Sequence, residues 1–343
     1  MVHEGSRPKV SVLIVNRNGE QHLETCIRSI LASDYDGLEV VVLDCASSDG
    51  SVALVRNLFP SCKVIEFEYD PLPDAAYIQG VLQSSGELIL LLNNDTRLLC
   101  DTIGKLVKDL QEDPNSLVVP LELDWEGRFF HGSAGLAYYW ITPLYALTKW
   151  LPFYRRKRAG PFMVNIACAM ISRDLFLQVP PSVLIGFFEE LEWCWRLLLL
   201  GFDVRVVSEA RYFHKGAASV GSTRRTAMWS AKSMLAAHYV CLDRLGLLAF
   251  TPLLLCYVLL KSALYLLRLR FGGLLGLVEG IIEFMKLLDK FREQRIAVQT
   301  ARRATDISVF SKMLLSCHWV YSFNLDRGRS IAGTFMDLVL AAR

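Results

Sequence analysis

The segment Glu87–Thr96, ELILLLNNDT, constrains the fold more than any other stretch of the chain. Leu88–Leu92 offers no polar side chain to either face, so it reads as a strand covered on both sides, and it stops abruptly at Asn93-Asn94-Asp95. Strands of that kind sit in open α/β sheets, where ligands bind outside the carboxyl ends of the strands. Asp95 therefore stands where a carboxylate can hold a metal or a ribose. The competing reading is an Asn-Asp turn that only ends the strand.

The flanking segments fit such a sheet. Val10–Val15 is a short apolar run closed by the turn Asn16-Arg17-Asn18-Gly19. Leu23, Cys26, Ile27, Ile30 and Leu31 then recur at helical spacing, and a second strand, Leu38–Leu43, ends at Asp44. This is a βαβ unit, but its first turn, NRNGE, lacks the G-x-G-x-x-G of a dinucleotide site, which excludes NAD and FAD. Within CASSDGS, Asp49 and Gly50 open a helix over Ser51–Phe59, and a third strand follows at Lys63–Phe67. Asp44, a charge at the mouth of a buried strand, needs a partner, and with Asp49 it can grip a base and ribose; taken by itself, Asp49 is better read as a helix N-cap. A helix at Asp101–Glu112 and a strand at Leu117–Leu123 continue the alternation.

The aromatic segment Trp125–Pro161 breaks the pattern. It contains Tyr138, Tyr139, Trp140, Tyr145, Trp150, Phe153 and Tyr154 and finishes in Arg155-Arg156-Lys157-Arg158, which suits an acceptor-facing or membrane-facing loop or a packed insertion. Phe162–Ile171 reads as another strand, and a helix opening near Gly186 reaches Leu200. Glu189, Glu190 and Glu192 crowd its start, where the macrodipole favours negative charge, and Trp193 and Trp195 fix the helix directly behind them. A short strand at Val204–Val207 precedes Tyr212-Phe213-His214-Lys215-Gly216, whose histidine is by itself a structural residue or a ligand.

Taken together, VSVLIVNRNG, VVLDCASSDGS, LLLNNDT, FFEELEWCWRLLLLGFDVRVV and EARYFHKG resemble, in order and spacing, an inverting glycosyltransferase of family two, most of all its bacterial rhamnosyltransferase-like members. The resemblance covers about Val10 to Gly221 and implies the GT-A fold, a Rossmann-like α/β sheet, mainly parallel, with helices on both faces. It implies donor-binding roles for Asn16, Asn18, Asp44, Asp49, Asn93, Asn94 and Asp95, a divalent metal (Mg2+ or Mn2+) held by Asp95 with His214, and a catalytic base from Glu189 and Glu190, with Glu190 favoured. It further implies a UDP-, dTDP- or GDP-sugar donor and a lipid-linked or glycan acceptor. The chemistry agrees: a cation on hard oxygen ligands stabilises a departing diphosphate, and a positioned carboxylate takes the proton of the attacking hydroxyl. This chain departs from the family at Asp70–Gly80, where a glycine-asparagine loop is eroded, at Asn93 in place of the first acid of D-x-D, and at Glu190, where the acidic pair more often ends in Asp.

Charge divides the chain in two. Up to residue 225 it carries 22 basic and 27 acidic side chains, and beyond that 15 against 8, while the mean hydropathy of the whole is +0.31. We expect a GT-A domain over 1–225 and a helical membrane-associated region over 226–343, docked on the cytoplasmic face of the plasma membrane. The polar N-terminus without an apolar core gives the same expectation, and the nine cysteines contain no CxxC pair that suggests zinc. Nucleic acid is excluded because the basic half carries leucines where a nucleic-acid groove interleaves aromatics. Leu245–Leu260 is sixteen uncharged residues, about 24 Å of helix against roughly 30 Å of hydrocarbon, and Pro252 interrupts it and Lys261 ends it. With a turn at Gly272-Gly273 and an amphipathic Leu274–Lys290, the reading is a monotopic segment or shallow hairpin, with a crossing as the alternative.

Overall fold

The computed structural model describes residues 7–127, 162–186, 190–216 and 223–310. Most of the aromatic segment, including Tyr138 through Arg158, lies outside these residues, as do Glu189 and the chain beyond 310. Strands β1 (Val10–Asn16), β2 (Leu38–Cys45), β3 (Lys63–Phe67), β4 (Leu88–Asn93), β5 (Thr96–Leu98), β6 (Ser116–Leu123), β7 (Cys168–Ser172) and β8 (Asp203–His214) form one sheet in the order β3-β2-β1-β4-β7-β6-β8-β5. Pairs β1–β2, β1–β4, β2–β3 and β6–β8 are parallel; β4–β7, β6–β7 and β5–β8 are antiparallel.

Side chains alternate across this sheet as the pleat requires. Val12, Ile14, Val42 and Leu90 join a core roofed by α1 (Glu20–Leu31), α2 (Ser51–Leu58) and α4 (Thr102–Glu112). Leu13, Val41, Leu43 and Leu91 join the opposite core with α3 (Pro73–Leu82), α5 (Arg173–Gln178) and α6 (Glu190–Leu199). Leu88–Leu92 is buried at every position, so the central strand is covered on both faces as its composition demands. Gly80 lets α3 lie close on β2, since a methyl there would meet Leu43 Cδ1 at 2.9 Å.

Two strands differ from expectation. The strand expected from Phe162 begins only at Cys168, because Asn165 takes up turn geometry, its Oδ1 accepting from the Ala167 amide at 2.9 Å. The short strand expected at Val204–Val207 instead runs on to His214. Its pairing with β6 jumps from Pro120↔Val207 to Leu121↔Arg211, so Ser208–Ala210 bulges out of the ladder and the polar Ser208-Glu209 pair is the part that leaves it.

Behind the sheet come α7 (Thr223–Cys241), α8 (Arg244–Leu267), α9 (Phe271–Lys286) and α10 (Leu288–Ala301). Pro252 and Lys261 do not limit α8, which passes through both as a helix of 24 residues. Half-buried Leu247, Phe250, Tyr257, Val258 and Tyr265 and buried Leu254 recur at helical spacing on the side toward the protein and carry the helix across the proline. The turn falls at Leu269, which has φ 53°, rather than at Gly272-Gly273. Those glycines lie inside α9, with Gly273 against the Tyr265 ring, and methyls at Gly276 and Gly280 would overlap the Arg224 and Met228 carbonyls of α7.

The course of α8 follows from these contacts. It leaves from the carboxyl end of α7, where the Asp243 amide donates to Asp306 Oδ2 at 2.9 Å, and delivers the chain to the start of α9 beside Arg224, at the amino end of α7. A straight helix joining those two points runs back along the protein. Its outer side, with Leu245, Leu248, Leu253, Leu255, Leu259 and Leu260 each more than half exposed, carries no charge between Arg244 and Lys261.

Candidate active site

The parallel register brings the carboxyl ends of β1, β2 and β4 level, with Asn16 opposite Asp44 and Val15 opposite Asn93. Asn16 is fully buried and joins both neighbours: its Nδ2 donates to Asp44 Oδ1 at 2.9 Å, and its Oδ1 accepts from Asn94 Nδ2 at 2.7 Å. The second oxygen of Asp44 accepts from the Ser47 amide at 3.0 Å, while Asn18 Oδ1 accepts from the Ser48 amide at 2.7 Å. Asp44 thus has the partners that a buried charge requires. Gly19 sits inside this network, and a methyl there would overlap Asn94 Nδ2 and Asn16 Oδ1. We expect Gly19→Ala to break the Asn16–Asn94 bridge and to cost about 1–3 kcal/mol of stability, which thermal denaturation will measure.

Asp49 is held differently. One oxygen accepts from the Glu20 amide at 3.0 Å and the other from the Ser51 amide at 3.1 Å, while Glu20 Oε2 accepts from the Gly50 amide at 3.0 Å. The two carboxylates clamp the amino ends of α1 and α2 to each other, while the N-cap position of α2 itself is Gly50.

A second cluster starts one residue past Asn94. Asp95 lies just past the end of β4 and is only 4% exposed. The antiparallel pairing of β5 with β8 sets Thr96 opposite His214, and His214 Nε2 lies 3.3 Å from Asp95 Oδ1. On the other side His214 Nδ1 lies 2.8 Å from Glu122 Oε1, and Glu122 Oε2 accepts from Tyr212 Oη at 3.2 Å and Asn165 Nδ2 at 3.1 Å. Burial disfavours the imidazolium, but the Asp95 and Glu122 carboxylates outweigh it and raise the His214 pKa to about 10. Burial likewise works against the Asp95 carboxylate, and the hydrogen bond and charge of His214 overcome it, holding Asp95 below its ordinary value.

Donor chemistry decides what this cluster can bind. Nε2 and Oδ1 present an imidazole nitrogen and a hard oxygen at a separation that suits neighbouring ligands on one cation with bonds near ~2.1 Å. Glu122, 2.8 Å from Nδ1, would hold the tautomer that frees Nε2 for a cation once the imidazolium has lost its proton. Among the described residues no group of three such ligands forms a closed cage, so an ion here would keep positions for other oxygens.

Glu190 is the first residue of α6, half-buried, and burial raises its carboxyl above the ordinary value of 4.5. The helix behind it is fixed as its tryptophans suggest: Trp193 Nε1 donates to the Val179 carbonyl at 2.7 Å, and Trp195 meets Phe162 edge-on. Glu192 serves the core, chelated by Arg196 at 2.7 and 3.1 Å and by Gln294 at 3.0 Å. Among the described residues no hydrogen bond joins Glu190 to either cluster.

The model of the glycosyl transferase family 2 matches residues 11–177. An N-acetylglucosaminyltransferase of Bradyrhizobium sp. (strain ANU 289) is 32% identical over 109 residues, 30% of this chain and 71% of the relative. The chain belongs to glycosyl transferase family 2. Another relative in the family, the GalNAc(5)-diNAcBac-PP-undecaprenol beta-1,3-glucosyltransferase of Campylobacter jejuni, is 32% identical over 109 residues, 31% of this chain and 35% of the relative. The matches span 35% to 61% of the length of the first curated relatives. Among solved structures, a mannosyltransferase of Pyrobaculum calidifontis in complex with GDP-Man and Mn2+ shares the fold with a TM-score of 0.52 at 15% identity, over 94% of this chain and 89% of that one. The sheet described above is the GT-A fold.

The family motifs thus fall into three places: Asn16, Asn18, Asp44 and Asn94 in one network, with Asn93 closing β4 beside it; Asp95 with His214; and Glu190 on its own helix. The residue that sequence reasoning missed is Glu122. Its signal was an acid inside the buried run SLVVPLEL, where a carboxylate needs a partner.

Proposed function

We propose that the protein transfers a sugar, with inversion at the anomeric carbon, from a nucleoside-diphosphate donor to a lipid-linked or glycan acceptor at a membrane surface. The observation that carries this is the Asp95–His214–Glu122 cluster, set at the same end of the sheet as the Asn16–Asp44–Asn94 network. Asn16, Asn18, Asp44 and Asn94 hold the nucleotide, and Asn93 faces its diphosphate. Asp95 and His214 hold a divalent cation, and Glu122 orients His214. When bound, that cation neutralises the charge developing on the leaving diphosphate. An imidazole in the donor set favours Mn2+ over Mg2+, which prefers all-oxygen surroundings. Glu190 takes the proton of the attacking hydroxyl, and its raised pKa suits a base working near neutral pH. Glu189 supports it or orients the acceptor.

The relatives named above suggest glucose or N-acetylglucosamine as the sugar, and the C. jejuni relative's name carries a lipid-linked acceptor. The exposed leucines of α8 support the membrane. Among the described residues this is the one helix long and apolar enough to cross a bilayer, yet both of its ends return to the protein. We therefore assign it a position lying flat in one leaflet, on the cytoplasmic face, with residues 1–225 as the GT-A domain and 226–343 as the membrane-associated region.

Thermal denaturation with UDP, dTDP and GDP, each with and without Mn2+, tests the reading. One nucleotide should stabilise the protein, and clearly more with the metal than without it. Metal binding should also depend on pH. His214 keeps its proton up to about pH 10, so binding at neutral pH must release it, and apparent affinity should rise about tenfold per pH unit between 6 and 9. Calorimetry in buffers of different ionisation enthalpy will count one proton released. In the metal-free protein the sign reverses: a raised His214 pKa stabilises the fold fully below 6.5, and this contribution fades as pH rises toward about 10.

A further inference from the structure

Where α8 leaves the body of the protein, a cleft of about 480 Å³ opens between the end of α7, the start of α8 and the face of α10. Arg244, Arg292 and Arg295 line it with Tyr239 and Ile296, and the one carboxylate in its lining is that of Asp243. Asp243 is engaged as the N-cap of α8, its Oδ1 accepting from the Gly246 amide at 2.6 Å. Arg295 is fixed rather than mobile: it lies over the Tyr239 ring at 5.3 Å and donates to the carbonyls of Tyr239 and Leu242, the latter at 2.6 Å. Among the described residues none of the three arginines forms an ion pair with a carboxylate. Three arginines around one concavity against a single carboxylate, itself bound to a helix amide, leave an excess of positive charge that suits a compact anion, and arginine forks match phosphate oxygens.

Position narrows the source of that phosphate. Arg244 is the first residue of α8, so the cleft lies at the edge of the apolar surface formed by Leu245, Leu248 and the leucines that follow. A helix lying flat in a leaflet places its polar edge at headgroup depth. We propose that this cleft binds the terminal phosphate, monoester or diphosphate, of a membrane lipid. The proposal rests on the assignment of α8 to the membrane surface. Arg292 and Arg244 reach the phosphate from the exposed rim, Arg295 forms the floor, and Ile296 covers the beginning of the acyl or prenyl chain.

Flotation of the full chain with vesicles separates the possibilities. Three compositions are used: phosphatidylcholine alone, and phosphatidylcholine with either phosphatidic acid or phosphatidylserine at matched surface potential. Wild type should bind phosphatidic acid vesicles about tenfold or more tightly than phosphatidylserine vesicles, as expected of charge-assisted bonds to a monoester. R244Q/R292Q, whose two side chains are exposed, should fall to the phosphatidylserine level. R268Q/R270Q, at the other end of α8, should weaken binding to both anionic vesicles equally and keep the preference. L255D/L259D should lose binding to all three, which supports the membrane surface independently. Wild type binding no vesicle overturns the membrane assignment and the cleft with it. Binding without a headgroup preference, or a preference that survives in R244Q/R292Q, overturns the cleft while the membrane assignment stands. Excess inorganic phosphate at constant ionic strength should erase the preference by competing for the same arginines, and a preference that survives it overturns the cleft.

Discussion

Asp95→Asn abolishes transfer, with kcat expected to fall about a thousandfold or more, the scale of losing a charge-stabilising group aimed at the leaving phosphate. The substitution keeps the shape of a side chain that is only 4% exposed, so the effect is read on the chemistry rather than on packing. It removes the oxygen 3.3 Å from His214 Nε2, and with it one of the two groups that raise the His214 pKa. The variant should therefore show weakened metal-dependent nucleotide binding and a His214 that titrates at lower pH, both visible by calorimetry and NMR. The Asn16–Asp44–Asn94 network does not involve Asp95, so metal-independent nucleotide affinity should persist. Full activity of Asp95→Asn at limiting metal rules out the metal assignment.

Glu190→Gln should cut turnover by about a hundredfold or more and leave donor affinity nearly unchanged, because it keeps the shape and removes the basic oxygen. Burial raises the Glu190 pKa, so the acid limb of the wild-type rate profile should lie above the ordinary 4.5. The same shift carries a stability consequence. A carboxyl whose folded pKa exceeds its unfolded value loses stability as pH rises through that interval, and the loss persists above it. Glu190→Gln should thus raise the melting temperature at neutral pH while lowering activity, a pairing that a misfolded variant does not show. Consecutive helical residues point about 100° apart, so Glu189→Gln should behave differently. If only Glu189→Gln is inactive, the base shifts by one residue.

The sheet was legible because its signals are local. Leu88–Leu92 can only be a covered strand, and the breaks at Asn16, Asp44 and Asn93 mark strand ends that the parallel register then aligns. The Asp95–His214–Glu122 cluster was half legible. Asp95 and His214 stand out only through the family motif, since the pairing that joins them spans more than a hundred residues and depends on a bulge at Ser208–Ala210 that no alternation of residue types announces. Glu122 was hidden for the same reason, its partner being set by register. Asp49 is a mixed case: its bond to the Ser51 amide is local and readable from SSDGS, while its bond to the Glu20 amide of α1 depends on how the two helices meet. At the back of the chain, Pro252 and the paired glycines suggested breaks. Tertiary contacts carried the helix through the proline and used the glycines for close approach to α7 instead.

The central claim is tested most directly by release of nucleoside diphosphate from a panel of nucleotide sugars by the purified full chain, measured with and without Mn2+ in the presence of a lipid-linked acceptor. The account predicts release from at least one donor that requires the metal and rises with pH as His214 gives up its proton. Turnover that is indifferent to divalent metal contradicts the role of Asp95 and His214, and donor binding with no turnover under any condition contradicts the transferase itself.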